Sequence, residues 1–222
     1  MTSFPRNTVA SSVSLSGKGL HSGEPVKVTV HPGQKGIRFM HKNATFDAVP
    51  ENVTETRRCT KLGTVSTVEH LMSALWGLGF TDADVEVEGS EMPGLDGSSM
   101  GFVELLLSAG TAKCGHLEVE GPFARVYHVD GEAKVSVGTG DGLWRYDFDL
   151  EEMDLGWQHS EVVLAPESYA QEISPARTTV FSHELPHLVK MGLGRGLTGD
   201  DVVVIQKGGY ENAVRFEDEP AR

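Results

Sequence analysis

Apolar and polar residues alternate in several short stretches of the first half, the pattern expected of β-strands with one buried face. In Pro25–His31, Val26, Val28 and Val30 fall on one side of the predicted strand. Further strands are predicted over 8–15, Ile37–His41 and 84–88. Their shortness and the glycine and proline turns between them indicate a sheet with one face packed on a core.

Two segments of the first half have apolar residues at helical spacing instead. Leu71 to Leu78 forms one such segment, and the preceding Ser66-Thr67-Val68-Glu69 matches a capping box. Residues 99–109 form a second, heavily apolar segment, followed by Gly110 where a C-terminal cap is expected. The pattern therefore predicts two helices that cover one face of the sheet.

A similar order of elements begins again after about Gly115. We predict strands over 117–128, Ala133–Val137, Leu143–Leu150 and 202–205, and helices over 167–173 and 182–190. The chain is therefore predicted to be an α+β protein with two similar domains, residues 1–114 and 115–222. The second domain is expected to be incomplete, lacking its C-terminal helix and strand, so that strand 202–205 has no obvious cover and the chain self-associates.

Composition narrows the possible partners. The net charge of −13 and the lack of a basic stripe argue against nucleic acid as a ligand. No apolar stretch of about 18 residues and no leader pattern occurs, so no transmembrane segment is expected. Cys59 and Cys114 are far apart and outside any C-x-x-C pattern, which predicts neither disulfides nor a thiolate metal site and favours a cytoplasmic location.

The first candidate for chemistry is the pair Glu69 and His70 at the start of the first predicted helix. In one interpretation Glu69 caps the helix and His70 is an ordinary half-exposed residue. In the other, His70 binds zinc and Glu69 takes a proton from the attacking water. Spacing alone does not decide between them.

A second candidate is His183-Glu184-Leu185-Pro186-His187, which matches the H-E-x-x-H pattern of zincin metalloproteases. That pattern requires both histidines on one face of an intact helix. Pro186 has no amide hydrogen for such a helix, so the motif favours an ordinary polar helix start. A zincin-like site using His183 and His187 stays open as an alternative.

Several further motifs occur together with the Glu69 pair, and as a set they resemble the UDP-3-O-acyl-N-acetylglucosamine deacetylase family. The matching segments are GKGLHSG at 17–23, STVEHLMSAL at 66–75, GLG with EVEG between 77 and 89, LDGSS with FVELLLSAG between 95 and 110, ART at 176–178 and RFEDE at 215–219. They follow one another in the family's order at about the family's spacing, across essentially the whole chain.

The resemblance implies two α+β domains packed face to face, with the active site between them. It implies zinc-dependent hydrolysis of the acetamide of a UDP-acylglucosamine in lipid A synthesis. His70 matches a metal ligand, Glu69 the general base, and Thr178 a hydroxyl that binds the oxyanion. His21 and Thr179 fall at substrate-binding positions.

The sequence also departs from the family pattern. Glu120 stands where many members carry a substrate-binding Lys, which would exchange a cation for an anion. His70 is the one zinc ligand that the resemblance assigns within 1–222, and the next would follow Arg222. We therefore expect the chain to be incomplete and inactive alone, with a divergent non-catalytic homologue as the alternative.

Overall fold

The computed structural model of the protein describes residues 2–121, 125–131, 133–138 and 140–222. Its largest sheet has five strands in the order β2-β3-β8-β4-β5. These strands are β2 (Val13–Lys18), β3 (Pro25–His31), β4 (Ile37–His41), β5 (Ala44–Asp47) and β8 (Ala83–Glu88). All neighbours are antiparallel except β4 and β8, which are parallel.

Helices α1 (Glu69–Gly77) and α2 (Met100–Ala109) cover the apolar face of this sheet. Val28, Val30 and Val85 of the strands are buried in one core with Leu71 and Leu75 of α1. Residues Pro50–Asn52 form a 3₁₀ turn, and a small ribbon of β6 (Val53–Glu55) and β7 (Lys61–Leu62) leads into α1.

A long two-stranded ribbon joins the start of the chain to its middle. Strand β1 (Thr2–Val9) pairs antiparallel with β9 (Thr111–Val119), with a register shift between Arg6 and Asn7. Strand β9 crosses the predicted domain boundary at 114/115. The domain division itself stays a prediction.

The second half holds small separate sheets. Two are hairpins, of β10 (Val126–Asp130) with β11 (Ala133–Val137), and of β12 (Leu143–Leu150) with β13 (Gly156–Val163). The third contains β14 (Thr179–Phe181), β15 (Val203–Gln206) and β16 (Gly209–Tyr210), in that order. The helical segments are α3 (Pro166–Ser168) continuing as a π-helical turn (Tyr169–Ile173), a 3₁₀ turn (Ser182–Glu184) before α4 (Leu185–Lys190), and a 3₁₀ turn (Glu219–Ala221).

The main core extends into the second half of the chain. Val162, Tyr169 and Ile173 are buried in the same cluster as α1 and α2. The Tyr169 hydroxyl is hydrogen-bonded to Ser73 on α1 (2.7 Å) and to Ser99 before α2 (2.9 Å). The α+β class predicted from the sequence is confirmed.

Several predicted elements need correction. Strand 8–15 is interrupted after Val9, because the chain turns from β1 into β2, and predicted strand 117–128 is two strands, β9 and β10, with residues 122–124 outside the described ranges. The expectation that the strand at 202–205 lacks cover was wrong. Val203 and Ile205 are completely buried with Leu150 in a second core cluster, which Phe148, Phe181 and Tyr210 help to cover.

None of the described helices is long and apolar enough to cross a membrane.

Candidate functional site

A cavity of about 410 Å³ contains all five residues that the sequence analysis selected. His21, Glu69, His70, Thr178 and Thr179 line it together, although they come from three distant segments of the chain. The cavity therefore lies where the turn after β2, the start of α1 and the start of β14 meet.

The turn that carries His21 is held in place by a buried carboxylate, Glu91. Its Oε1 accepts the backbone N–H of His21 at 2.6 Å, and its Oε2 accepts that of Ser22 at 2.9 Å. The Thr67 hydroxyl donates to Oε1 at 3.1 Å. Glu91 thus connects the His21 turn to the residues that precede α1, and sequence reasoning did not select it.

The capping box predicted at 66–69 does not form. The box needs Ser66 as the N-cap and Glu69 as the third helical residue. Instead the backbone of Ser66 is hydrogen-bonded to Ser90 and Met92, and Thr67 has a left-handed backbone (φ 63°) with its hydroxyl bonded to Glu91. The helix begins after Val68 without a side-chain cap. Glu69 is consequently free of a capping role, and its Oε2 instead accepts the N–H of Thr60 at 3.0 Å.

The His70 side chain is half-buried in the cavity wall. Burial lowers the pKa of His70, and its neighbour His21 acts in the same direction, while Glu69 and Asp96 partly oppose them. The imidazole is therefore neutral at pH 7, which is the form that offers a nitrogen lone pair to a metal ion.

His21 also presents an unusual nitrogen. Its Nε2 lies 3.3 Å from the carbonyl oxygen of Arg58, which can only accept, so Nε2 carries the hydrogen. Its Nδ1 is buried and has no hydrogen-bond partner within the described residues. An unpaired acceptor of this kind suits a donor group on a ligand.

Thr178 is positioned by a buried ion pair in the adjacent turn. Arg177 donates from Nε and Nη2 to the two carboxylate oxygens of Glu219, at 2.9 and 3.0 Å, and both side chains are almost fully buried. The Thr178 N–H then donates to the carbonyl of Gly97 at 2.8 Å, and its carbonyl accepts from Val203 at 2.9 Å. Contacts among the ART, LDGSS and RFEDE motifs therefore fix the backbone that carries the Thr178 hydroxyl.

The remaining wall of the cavity is mainly apolar. It is formed by residues of α4, of the loop after it and of β15, and includes Leu185, Leu188, Val189, Leu193, Leu197, Val202 and Val204. A ligand that fills the whole cavity would need a polar end near Glu69 and an extended apolar part. Glu120, by contrast, is exposed on the chain after β9 and does not line this cavity.

The H-E-x-x-H pattern does not have the geometry that a zincin requires. His183 lies in the 3₁₀ turn before α4, Pro186 in the first turn of α4, and His187 within α4. The two histidines are thus not on one intact helix. The ring of His183 stacks on Phe181, with centroids 5.6 Å apart.

The residues present do not make a complete metal centre. Within the ranges that the structure describes, no group of three or more His, Cys, Asp or Glu side chains could hold a metal ion. A catalytic zinc needs three protein ligands. His70 is therefore a single candidate ligand rather than a site.

A second, larger cavity of about 830 Å³ lies at the ends of β4, β5 and β8. It contains His41, whose Nδ1 is 2.8 Å from the Thr64 hydroxyl and whose pKa is lowered by burial. It contains none of the residues selected from the sequence. The choice of the 410 Å³ cavity as the candidate site therefore rests on the side chains that line it and not on its size.

Comparisons with known proteins agree on one family. A family model described as UDP-3-O-acyl N-acetylglycosamine deacetylase matches residues 6–222. The UDP-3-O-acyl-N-acetylglucosamine deacetylase of Syntrophotalea carbinolica is 34% identical over 235 residues, which cover 98% of this chain and 75% of the relative. The protein of the same name from an Anaeromyxobacter species is 34% identical over 237 residues, covering 100% of this chain and 77% of the relative.

Proposed function

Because the chain belongs to the UDP-3-O-acyl-N-acetylglucosamine deacetylase family, we propose that its 410 Å³ cavity binds a UDP-acylglucosamine and removes the acetyl group. The reaction hydrolyses the acetamide to a free amine and acetate. The observation that carries this proposal is the meeting of Glu69, His70 and Thr178 in one cavity. The apolar wall formed by α4 and β15 supports it, since an acyl chain needs such a surface.

Glu69 is the proposed general base. Its Oε2 is held by the Thr60 amide, which leaves Oε1 to accept the proton of the water that attacks the acetamide carbon. The Thr178 hydroxyl is the proposed donor to the oxygen that becomes negative during this attack. Its backbone is fixed on both sides by Gly97 and Val203, so the hydroxyl needs little reorganisation.

His21 and Thr179 are the proposed substrate-binding residues. The unpaired Nδ1 of His21 can accept a hydrogen bond from a sugar hydroxyl or an amide. Thr179 begins β14, and its backbone pairs with Val203 of β15. Both residues line the cavity beside the proposed base.

Zinc, for which His70 is a proposed ligand, would supply Lewis-acid activation of the carbonyl and of the water when bound. The described residues give it fewer ligands than a catalytic site requires, so no step is derived through the metal. The base, the hydroxyl donor and the substrate contacts stand on the cavity's own residues.

The test is the release of acetate from the UDP-acylglucosamine by the purified chain, with and without added Zn²⁺. Glu69→Gln should lower turnover by about 10²-fold or more, because the amide cannot take the proton. The Gln carbonyl can still accept the Thr60 N–H, so stability should change by less than about 1 kcal/mol. Glu104→Gln, which alters an exposed carboxylate on α2, is the matched control.

If the Glu69→Gln variant turned over as fast as the wild-type chain, the assignment of Glu69 as the base would be contradicted. A folded chain that binds the substrate without releasing acetate, with or without Zn²⁺, would fit both the incomplete metal site and a non-catalytic homologue, and would contradict catalysis by this chain alone.

A further inference from the structure

The proposed substrate presents the cavity with an electrostatic problem. A diphosphate is strongly anionic, whereas the protein has a net charge of −13 and two carboxylates, Glu69 and Glu211, line the cavity. Such a ligand needs a local cation to oppose the overall field. Among the described residues that line the cavity, Arg58 is the one Lys or Arg side chain.

Arg58 is attached to the proposed site through its backbone. Its carbonyl oxygen lies 3.3 Å from Nε2 of His21, and two residues later the Thr60 N–H donates to Glu69 at 3.0 Å. The segment from 58 to 60 therefore bridges two of the residues to which chemistry is assigned. A movement of this segment would move both.

The backbone of Arg58 is itself unusual. Its φ of 65° lies in the left-handed region, which a residue with a Cβ rarely adopts. Nothing in the RRCT sequence provides a glycine for this turn. Residues kept in such a conformation are concentrated at functional sites, where the surrounding contacts maintain them.

The guanidinium of Arg58 is not committed to the core. Its Nη2 donates to Oε1 of Glu184 at 2.5 Å, and the side chain is 48% exposed. A half-exposed pair of this kind contributes little to stability because water and salt screen it. The remaining guanidinium N–H groups form a planar fork that matches phosphate oxygens.

We propose that Arg58 is a diphosphate-binding residue of the cavity, and that Glu184 holds its guanidinium until the phosphates of the nucleotide sugar replace the carboxylate. This inference rests on the proposed function for its ligand. It adds a specificity role to two residues, 126 positions apart, that no motif in the sequence connects.

The test is equilibrium binding of UDP to the full chain, which needs no catalysis and no metal. Arg58→Gln should weaken UDP binding by about tenfold or more, the loss expected for charge-assisted hydrogen bonds to phosphate. Glu184→Gln should strengthen it, because the competing carboxylate is gone. The affinity of the wild-type chain should also fall as salt is raised.

The neighbouring pair provides matched controls. Arg57 donates to Glu55 in the same manner, but Arg57 is 87% exposed and does not line the cavity. Arg57→Gln and Glu55→Gln therefore make the same charge changes one to three positions from Arg58, and both should leave the affinity within about twofold of wild type. Arg58→Lys should retain part of the binding, since a Lys keeps the charge but not the fork.

The outcomes separate the inference from the proposed function. UDP binding that Arg58→Gln leaves intact overturns the inference and leaves the function standing. Equal weakening by Arg58→Gln and Glu184→Gln also overturns it, because the pair would then be a structural connection between the two segments. If inorganic pyrophosphate binds through Arg58 but UDP binds no better, the anion site stands and the nucleotide-sugar function fails.

Discussion

At the scale of single residues, backbone strain is concentrated around the cavity. Among the residues that the structure describes, five other than glycine have positive φ, and three of these lie in segments that form the site. Arg58 lines the cavity, Thr67 precedes the helix that starts with Glu69, and Leu95 precedes the Asp96–Gly97 turn that holds Thr178. At Thr67 the strained backbone is maintained by a buried contact, the hydrogen bond from its hydroxyl to Glu91.

Glu91 gives the first prediction. In Glu91→Gln one carboxylate oxygen becomes an NH₂ group, which cannot accept a hydrogen bond. Either the N–H of His21 or the N–H of Ser22 therefore loses its acceptor. A buried amide left unpaired in this way destabilises the protein by about 1–3 kcal/mol. Urea unfolding should show this loss, together with weaker binding of UDP.

Glu88→Gln is the control for Glu91, since Glu88 pairs with Lys27 on the exposed surface and its replacement should change stability by less than about 1 kcal/mol. Equal effects of the two substitutions would show that Glu91 does not organise the His21 turn.

Asp82 gives a prediction about pH. Burial alone would raise its pKa, but hydrogen bonds from Arg6, from the Thr81 hydroxyl and from the Gly36 amide outweigh burial and hold the pKa at about 2. The folded pKa lies below the unfolded value of 3.8, so this stabilisation is present above pH 3.8 and is lost as the pH falls towards 2. The loss should be about 2 kcal/mol.

Urea unfolding between pH 5 and pH 2 measures the contribution of Asp82. Asp82→Asn should remove that part of the pH dependence, whereas Arg6→Gln should remove only a share of it, because the Thr81 hydroxyl and the Gly36 amide still donate to Asp82. If both variants kept the wild-type dependence of unfolding free energy on pH, the assignment of this dependence to Asp82 would be contradicted.

At the scale of elements, the sequence predicts strands well where alternation is regular. Strands β3, β4, β11 and β12 have the predicted bounds. Local patterns failed where a distant segment fixes the local backbone. The predicted capping box is absent because the backbone of Ser66 pairs with residues 90–92, so the helix begins only at Glu69. Strand β13 was missed because its apolar residues alternate too irregularly around Gln158, His159 and Glu161.

The packing of α1 against the second half gives an element-scale prediction. A Cβ added at Gly77 would lie 2.3 Å from the ring of Tyr169, which is buried and hydrogen-bonded to Ser73 and Ser99. The ring cannot move away without breaking those bonds. Gly77→Ala should therefore destabilise the protein by about 1–3 kcal/mol, despite the higher helix propensity of Ala.

Gly101→Ala in α2 is the matched control for Gly77. There the added Cβ meets mainly the terminal methyl of Leu95 at 2.8 Å, which can rotate. Thermal unfolding should place this variant within about 1 kcal/mol of wild type. If both substitutions behave alike, the close approach of α1 to Tyr169 is not important for stability.

At the scale of the whole molecule, the sequence predicted which residues meet but not what positions them. The five residues taken from motifs all line one cavity, although their roles stay predictions. Arg58, Glu91, Glu184 and Glu219 were not selected, since each acts through a partner between 24 and 126 positions away. No local pattern encodes such pairs, and a single sequence gives no other signal for them.

The last prediction concerns self-association, which the sequence analysis attributed to an uncovered strand at 202–205. That strand is buried, so an apolar surface for self-association has to lie in another part of the chain. Val126, Tyr127 and Val129 of hairpin β10–β11 are each 60% or more exposed. A two-stranded hairpin is only marginally stable without something packed against it. A second copy of the chain could provide that contact through this apolar surface.

We therefore expect the chain to self-associate weakly at pH 7, where its charge of −13 opposes contact, and more strongly near its pI of about 5.1 or in high salt. Light scattering against protein concentration measures this. The double substitution Tyr127→Ser and Val129→Ser should lower the association, whereas Val163→Ser, at an exposed valine on β13, should not. A chain that stays monomeric at pH 5 and in high salt would rule out association through this hairpin.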